Sequence, residues 1–408
     1  MLKFVNGYKG LPKGLYIICV STLINRLGDF VVPFLSLYLT QKIGMSAWAS
    51  GVIVTLCSVI GIPAAFIGGR IADMYGRKKI LLLAQSLSAL ALIPCALTEN
   101  AAITIVCLLI STFFNGFIRP VFSSMITDML SQEQRPAGFS LNYLAINLGV
   151  SIGPIIAGFL FNNLLPLLFL GDALTSLIAV FFIWKNVKET YHTGREIEIV
   201  DKAEEAEKGN ILQLFCKRPY LLLFILLNII YSFTYTQHRF SLPVTLNEIF
   251  NDQGAVLFGY LMSINAFAVL ILTALITMVT KKNNQLTNMV LAGILYAIGF
   301  GMLGFANSFV VFIISTVIWT VGEILTTISS GVFIANNSPC NYRARLNAVT
   351  TIGYAVGAAI STSFSGIYID NQGVRGIWYI VFLVSAVASI GMFSLRKYME
   401  RTGCPELE

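Results

Sequence analysis

The sequence predicts an all-α membrane protein with twelve transmembrane helices. Three observations carry that expectation. Charged residues make up only 12% of the 408 and apolar residues 56%, whereas a soluble globular chain carries about 25% charged residues. The apolar residues gather into repeated runs of about 20, the length that a bilayer core of about 30 Å demands. The runs are continuous, whereas barrel strands alternate over about ten residues. Helices satisfy their backbone hydrogen bonds internally and therefore suit such runs.

The first run, 14–40, follows the mildly basic MLKFVNGYKGLPKG. It is too long for a signal-peptide core and lacks a small-residue cleavage site, so it reads as the first span. The next five spans cover 48–70, 80–97, 101–126, 136–161 and 165–184. Then comes the longest polar stretch, 185–218, with the only charge-dense segment, HTGREIEIVDKAEEAEKGN. It reads as a cytoplasmic linker between a six-helix half at 1–184 and another at 219–408. The second half holds spans at 219–243, 255–279, 286–306, 309–335, 345–369 and 376–395.

Lys and Arg support this layout. With the N-terminus in the cytoplasm, inner segments hold 22 of the 27 and outer loops only Lys42 and Arg375. That is the bias of the positive-inside rule, and it places both termini in the cytoplasm. The net charge of +7 then reflects basic loops facing anionic lipid and requires no nucleic-acid partner. The seven cysteines are scattered, mostly in apolar runs, without a CxxC or Cys/His cluster. They read as small hydrophobes, so no metal is expected. No GxxxxGK[ST] loop gives ATP hydrolysis a seat, and no cofactor is expected.

Several motifs stand out. GGRIADMYGRKK, at 68–79, packs Gly69, Asp73, Gly76, Arg77, Lys78 and Lys79 into a short inner loop. Glycines permit a tight turn, and a carboxylate at a helix end can meet a helix N-terminus or an arginine. The basic residues alone would serve as a topology anchor. Span four carries Arg119 near mid-helix and Asp128 near its inner end. In span five, NLGVSIGPIIAG places Gly149, Gly153, Pro154 and Gly158 on adjoining turns, where small faces let helices approach.

Charges at membrane depth are expensive and face a partner, the bundle interior or water. Arg26 and Asp29 are three apart in span one, hence on one helix face. They read as a self-neutralising pair or as a substrate or proton site. Span seven adds Tyr231, Tyr235, Gln237, His238 and Arg239 near its outer end, and span five adds Asn142. Asp172, in the outer half of span six, reads as a local structural residue. Glu323 is the only charge between Phe309 and Ala335. It lies about fourteen residues into span ten, roughly 21 Å along a helix and so near mid-membrane. A carboxylate that alternates between dry and wet surroundings can take up a proton in one and release it in the other. Its alternative reading is a fixed partnership with Arg26 or Arg119.

Gly69-x-x-x-Asp73-x-x-Gly76-Arg77-Lys78 resembles the loop 2–3 signature of the major facilitator superfamily, and the twelve spans in a six-plus-six split extend the resemblance over the chain. The resemblance implies a major facilitator fold with two pseudo-symmetric six-helix halves and a loop that acts as a latch at the inner side. Lys281 and Lys282 form at best a weak counterpart in the second half. The span-five motif is similar to that of the family's antiporters, with Ala157-Gly158 for the usual double glycine. Arg119 resembles a span-four arginine tied to proton coupling. Asp128 resembles an acidic position in multidrug exporters, or else belongs to the gate. Glu323 after Gly322 resembles their span-ten carboxylate, and Asn142 stands where some of them carry an aspartate. The family architecture lines the central cavity with spans one, four, seven and ten.

The function these readings imply is proton-coupled secondary transport, exporting amphipathic or cationic small molecules by alternating access. The group resembled is that of bacterial proton-coupled multidrug exporters. Such a protein would work as a monomer among the lipids of a bacterial plasma membrane, with a small-molecule substrate and protons as partners. An alternative is uptake of peptides or another nutrient. The Arg26 region, with Tyr38-Leu39 further on, resembles the first span of peptide symporters. Their glutamate-rich motif is missing, because position 25 is Asn and position 22 is Thr. A third class, a receptor or scaffold that has kept the fold, would have no need of membrane-depth charges.

Overall fold

The computed structural model describes residues 10–98, 100–131, 133–190, 211–280, 283–338 and 343–402. These residues are almost entirely helical, with no strand among them. The helices are α1 Lys13–Leu27, α2 Val31–Leu37, α3 Ala47–Tyr75, α4 Arg77–Leu97, α5 Ala101–Met129, α6 Arg135–Asn163, α7 Leu165–Asn186, α8 Ile211–Lys217, α9 Pro219–Thr236, α10 Ser241–Phe250, α11 Gly254–Thr280, α12 Gln285–Gly301, α13 Phe309–Asn337, α14 Arg343–Gln372 and α15 Val374–Thr402. The expected linker lies largely outside the described residues, as do Lys281 and Lys282.

Eleven helical segments are long and apolar enough to cross a membrane. One of them, Pro219–Thr280, has 62 residues, about 93 Å of helix against a core of about 30 Å. It is interrupted at Gln237–Phe240 and at Asn251–Gln253, so it accommodates spans seven and eight. All twelve expected spans are thus represented. Span seven does not run straight to residue 243, as the sequence layout has it. The helix ends at Thr236, where the Gln237, His238 and Arg239 amides bond carbonyls three residues back instead of four, and the buried Gln237 side chain bonds Ser361 and Ser365 at 2.9 and 2.8 Å.

Polar residues fix several helix starts by accepting the N–H groups that a first turn leaves unpaired. Asn100 takes those of Ala102 and Ile103 at the head of α5. Asn284 takes that of Leu286, and Ser308 that of Val310. Span one breaks in the middle. Gly28 closes α1, and a Cβ there would fall 1.8 Å from Thr175 Oγ1, so the close approach requires glycine. The chain resumes as α2, with Pro33 in its first turn, where no amide donor is needed.

Residue contacts divide the chain into two units. The first comprises Met1–Met45, Leu56–Glu196 and Phe250–Phe267, and the second Ser46–Thr55, Ile197–Ile249 and Ala268–Glu408. In the first, Leu15, Ile18, Leu81, Val121, Met125 and Ile183 form an apolar core between α1, α4, α5 and α7. In the second, the rings of Phe300 and Trp319 stack at 5.4 Å, and Phe300 lies 6.1 Å from Trp378. Lipid tails are as apolar as leucine, so such packing rests on close contact and not on expulsion of water. The outward faces suit lipid: on α15, Leu383, Val387 and Ile390 recur at helical spacing and are 60–65% exposed.

Candidate functional site

The second unit contains a cavity of about 100 Å³ built around Glu323. Four tyrosines line it: Tyr231 and Tyr235 from α9, Tyr296 from α12 and Tyr354 from α14. Asn228, Ser232, Thr326 and Thr327 complete the wall. The Tyr235 hydroxyl donates to Glu323 Oε1 at 2.6 Å. Tyr231 is held from behind, donating to the Met289 carbonyl at 2.6 Å. Gly322 leaves room for the Tyr296 ring, which a Cβ would meet at 2.9 Å. Aromatic faces and a carboxylate both attract cations, and the carboxylate also takes a proton.

The remaining candidates of span seven are not part of the cavity wall. Gln237 is fully buried in its serine bonds. His238 is buried, with its ring stacked on Trp319 at 5.3 Å and Nδ1 against the Tyr235 carbonyl. Arg239 Nε reaches His238 Nε2 at 3.1 Å. Of the span-seven candidates, only Tyr231 and Tyr235 line the cavity with Glu323.

A second, polar cavity of about 40 Å³ lies within the first unit, lined from α1, α4, α5 and α7. Arg26 and Asp29 both face it and pair at 2.6 Å. Asp172 is there too, 8% exposed. Its Oδ2 accepts the Phe30 and Val31 amides at 3.2 and 3.1 Å, the donors exposed where span one breaks. Asp172 thus holds the break in span one and, unlike the sequence expectation, lines a cavity. Asn142 is apart, accepting from Thr22 Oγ1 at 3.1 Å. Arg119 is exposed, with no hydrogen bond or ion pair among the described residues.

The loop at 68–79 is tied within the first unit. Arg77 donates to Asp128, to the Ser124 carbonyl at 3.0 Å and to Asp73 at 3.5 Å. Gly76 has φ of +104°, a conformation essentially confined to glycine. Glu189 takes the Lys78 and Lys79 amides at 3.0 and 3.3 Å, capping α4. Lys78 Nζ bonds the Trp184 carbonyl at 2.8 Å. Gly69 faces open space. In the span-five motif, Cβ atoms at Gly149 and Gly153 would come within 2.5 and 2.9 Å of the Arg26–Leu27 segment. At Gly158 the neighbour is the Ala255 carbonyl at 2.8 Å, and Pro154 abuts Gly259. The small residues thus seat span five against span one and the start of α11.

Sequence reasoning passed over several residues. Tyr296 and Tyr354 look like ordinary span aromatics, although Asn228 and Gln85 carry a signal, being amides inside apolar runs. Glu189 was hidden in the polar stretch after span six. Asp370 stands near the C-terminal end of α14 and takes the Ala47 and Trp48 amides at 2.8 Å each, so it caps α3.

Eleven membrane-length helical segments among the described residues, one of them long enough for two spans, and polar cavities lined from several of them define a polytopic helical membrane protein. The family follows: the chain belongs to the Major Facilitator Superfamily, whose model matches residues 18–362. It is an integral membrane transporter and not an enzyme. It is 23% identical over 370 residues to the Na(+), Li(+), K(+)/H(+) antiporter of Planococcus maritimus, covering 82% of this chain and 86% of that one. It is 24% identical over 193 residues to the quinolone resistance protein NorA of Staphylococcus aureus, covering 46% and 50%. Among solved structures, that of the peptide transporter POT in complex with sulfate has a TM-score of 0.80 at 16% identity, covering 96% of each chain. That likeness shows the shared fold.

Proposed function

We propose that the protein is a proton-coupled antiporter that exports cationic or amphipathic small molecules by alternating access. The observation that carries this reading is the Glu323 carboxylate, held by Tyr235 at 2.6 Å in a tyrosine-lined cavity. A proton and a cationic group compete for that carboxylate, and the competition makes transport an exchange. The cavity of about 100 Å³ is the volume of about three waters. Drug-sized ligands need about 300–1,000 Å³, so this cavity takes a charged head group or a small cation while the rest of a larger molecule lies outside it. The likeness to the Planococcus cation/H(+) antiporter supports exchange, and the likeness to a quinolone resistance protein supports an organic cargo. The likeness to peptide transporters is one of fold and leaves uptake as the rival.

In this reading the halves at 1–184 and 219–408 move against each other, with both termini cytoplasmic and the loop at 68–79 working as the latch. The protein sits as a monomer in a bacterial plasma membrane. Arg26, Asp29, Arg119 and Asp128 assist the proton and the gate. Reconstitution into proteoliposomes tests the proposal: an imposed pH gradient should drive a cationic dye against the proton flow, and Glu323→Gln should abolish that drive while folding persists. Symport of substrate with protons would favour uptake. A Gln variant that still concentrates substrate with parental pH dependence would remove Glu323 from coupling.

A further inference from the structure

We infer that the polar cavity of the first unit is a binding site for one small monovalent cation, of sodium or lithium size, with Asp172 as its anionic ligand. The inference does not rest on Glu323, which belongs to the other unit.

Charge gives the first reason. The ionisable groups lining the cavity are Arg26, Asp29 and Asp172. Arg26 is committed to Asp29 at 2.6 Å, so that pair is neutral. When ionised, Asp172 carries one uncompensated negative charge, and α4 and α5 contribute only neutral side chains to the wall. An isolated charge at membrane depth is expensive. With Asp172 ionised, the occupant brings one positive charge, in competition with a proton on the carboxylate. It cannot be an anion, because the arginine is already engaged. Nor does a single free carboxylate suit a divalent ion, and among the described residues no three His, Cys, Asp or Glu side chains gather to hold one.

Unused oxygens give the second reason. The two amides that Asp172 accepts both fall on Oδ2, and among the described residues no hydrogen bond reaches Oδ1. Gln85 lines the same cavity, is 2% exposed, and its buried Oε1 has no hydrogen-bond partner. A buried acceptor left unmade costs about 1–3 kcal/mol, so a vacant Gln85 oxygen points to a missing partner. Ser88 and Ser176 bring hydroxyl oxygens to the same wall. Ser88 is fixed on Ser111 at 3.0 Å, and Ser176 accepts the Asn25 amide at 2.9 Å. Carboxylate, amide carbonyl and hydroxyl oxygens are the ligands of hard cations.

Size gives the third. At about 40 Å³ the cavity is far smaller than a drug-sized site of about 300–1,000 Å³. It accepts one ion stripped of most of its shell and excludes an organic cation. A water alone would satisfy Gln85 but leave the charge. A proton on Asp172 would cancel the charge but leave the space. A small cation does both when Asp172 is ionised, and a proton on Asp172 with a water beside it is the competing state.

The test uses the purified full-length protein and equilibrium binding of radioactive sodium, with choline holding ionic strength constant. The expected result is one saturable sodium per chain, displaced by lithium but not by choline, with affinity falling as pH is lowered. Asp172→Asn keeps an amide oxygen for the Phe30 and Val31 N–H groups, and Gln85→Leu leaves that cap untouched. Each should weaken binding tenfold or more. Parental protein without saturable sodium at high pH overturns the proposal and leaves a proton site only. Parent-like binding by folded Asp172→Asn overturns it equally. If Asp172→Asn fails to fold, Gln85→Leu decides, with unchanged affinity counting against the site.

Discussion

Removing the Asp370 carboxylate should loosen the grip of α14 on the first turn of α3. Its two oxygens take the Ala47 and Trp48 amides at 2.8 Å each. Around that cap, Thr55 Oγ1 lies 2.6 Å from Thr362 Oγ1. The helices touch so closely that a Cβ at Gly51 would meet the Thr362 carbonyl at 2.4 Å, and one at Gly366 the Ala47 carbonyl at 2.5 Å. Losing an N-cap costs about 0.5–2 kcal/mol. Asp370 is exposed, so water replaces part of the loss and about 1 kcal/mol is the fitting figure. That is about a fivefold change in the ratio of joined to parted helix ends at RT of about 0.59 kcal/mol. Spin labels at Trp48→Cys and Asn371→Cys, in a cysteine-free background, would read the separation. Asp370→Ala should enlarge the long-distance population about fivefold, and Asp370→Asn, which keeps one acceptor, should do so less. Distance distributions identical to the parent's in both variants would refute the clasp and show that water caps α3 as well as the carboxylate does.

Tyr235→Phe should remove one hydrogen bond to a charged acceptor, worth about 1.5–3 kcal/mol, and displace the pH profile of dye transport; an unmoved profile would detach Tyr235 from Glu323. Exchanging the pair, Arg26→Asp with Asp29→Arg, should preserve folding but abolish transport if the pair positions substrate or protons, whereas near-parental transport would mark a purely neutralising pair. Gly76→Ala should lower thermal stability by about 1–3 kcal/mol from its backbone conformation alone, and more because the new Cβ would sit 2.7 Å from a Glu189 oxygen; a parental melting temperature would contradict this. Gly149→Val should cost about 1–3 kcal/mol by overpacking against Arg26, read as a lower melting temperature, with no loss if span one simply shifts aside.

The spans were legible because the bilayer imposes one length on every crossing helix, and that length is written in apolar runs. Glu323 was legible for the same reason, since a lone charge in such a run is visible without knowing its neighbours. What escaped was pairing across distance. Asp172 meets Phe30 and Val31 from 142 and 141 positions away, and nothing local marks that partnership. Glu189 caps α4 from 111 positions away and looks like one more charge in a polar stretch. Span seven shows the converse limit. Its polar cluster at 235–239 announced that something happens there, but side-chain direction decides what. Tyr235 turns to the cavity, while Gln237 and His238 are buried among serines and rings.

The stacked rings beside Glu323 give the protein an optical property. Of its four tryptophans, Trp48 and Trp184 are 50% and 62% exposed, whereas Trp319 and Trp378 are fully buried. Brominated lipid would darken the first two and spare the others. Trp319 lies between His238 and Phe300 and 6.2 Å from the Tyr235 ring, so its emission originates against the wall of the carboxylate cavity. The surviving light therefore comes from two rings of one stack. A shift in its colour on adding acid or a cation would register events at Glu323 without any attached dye.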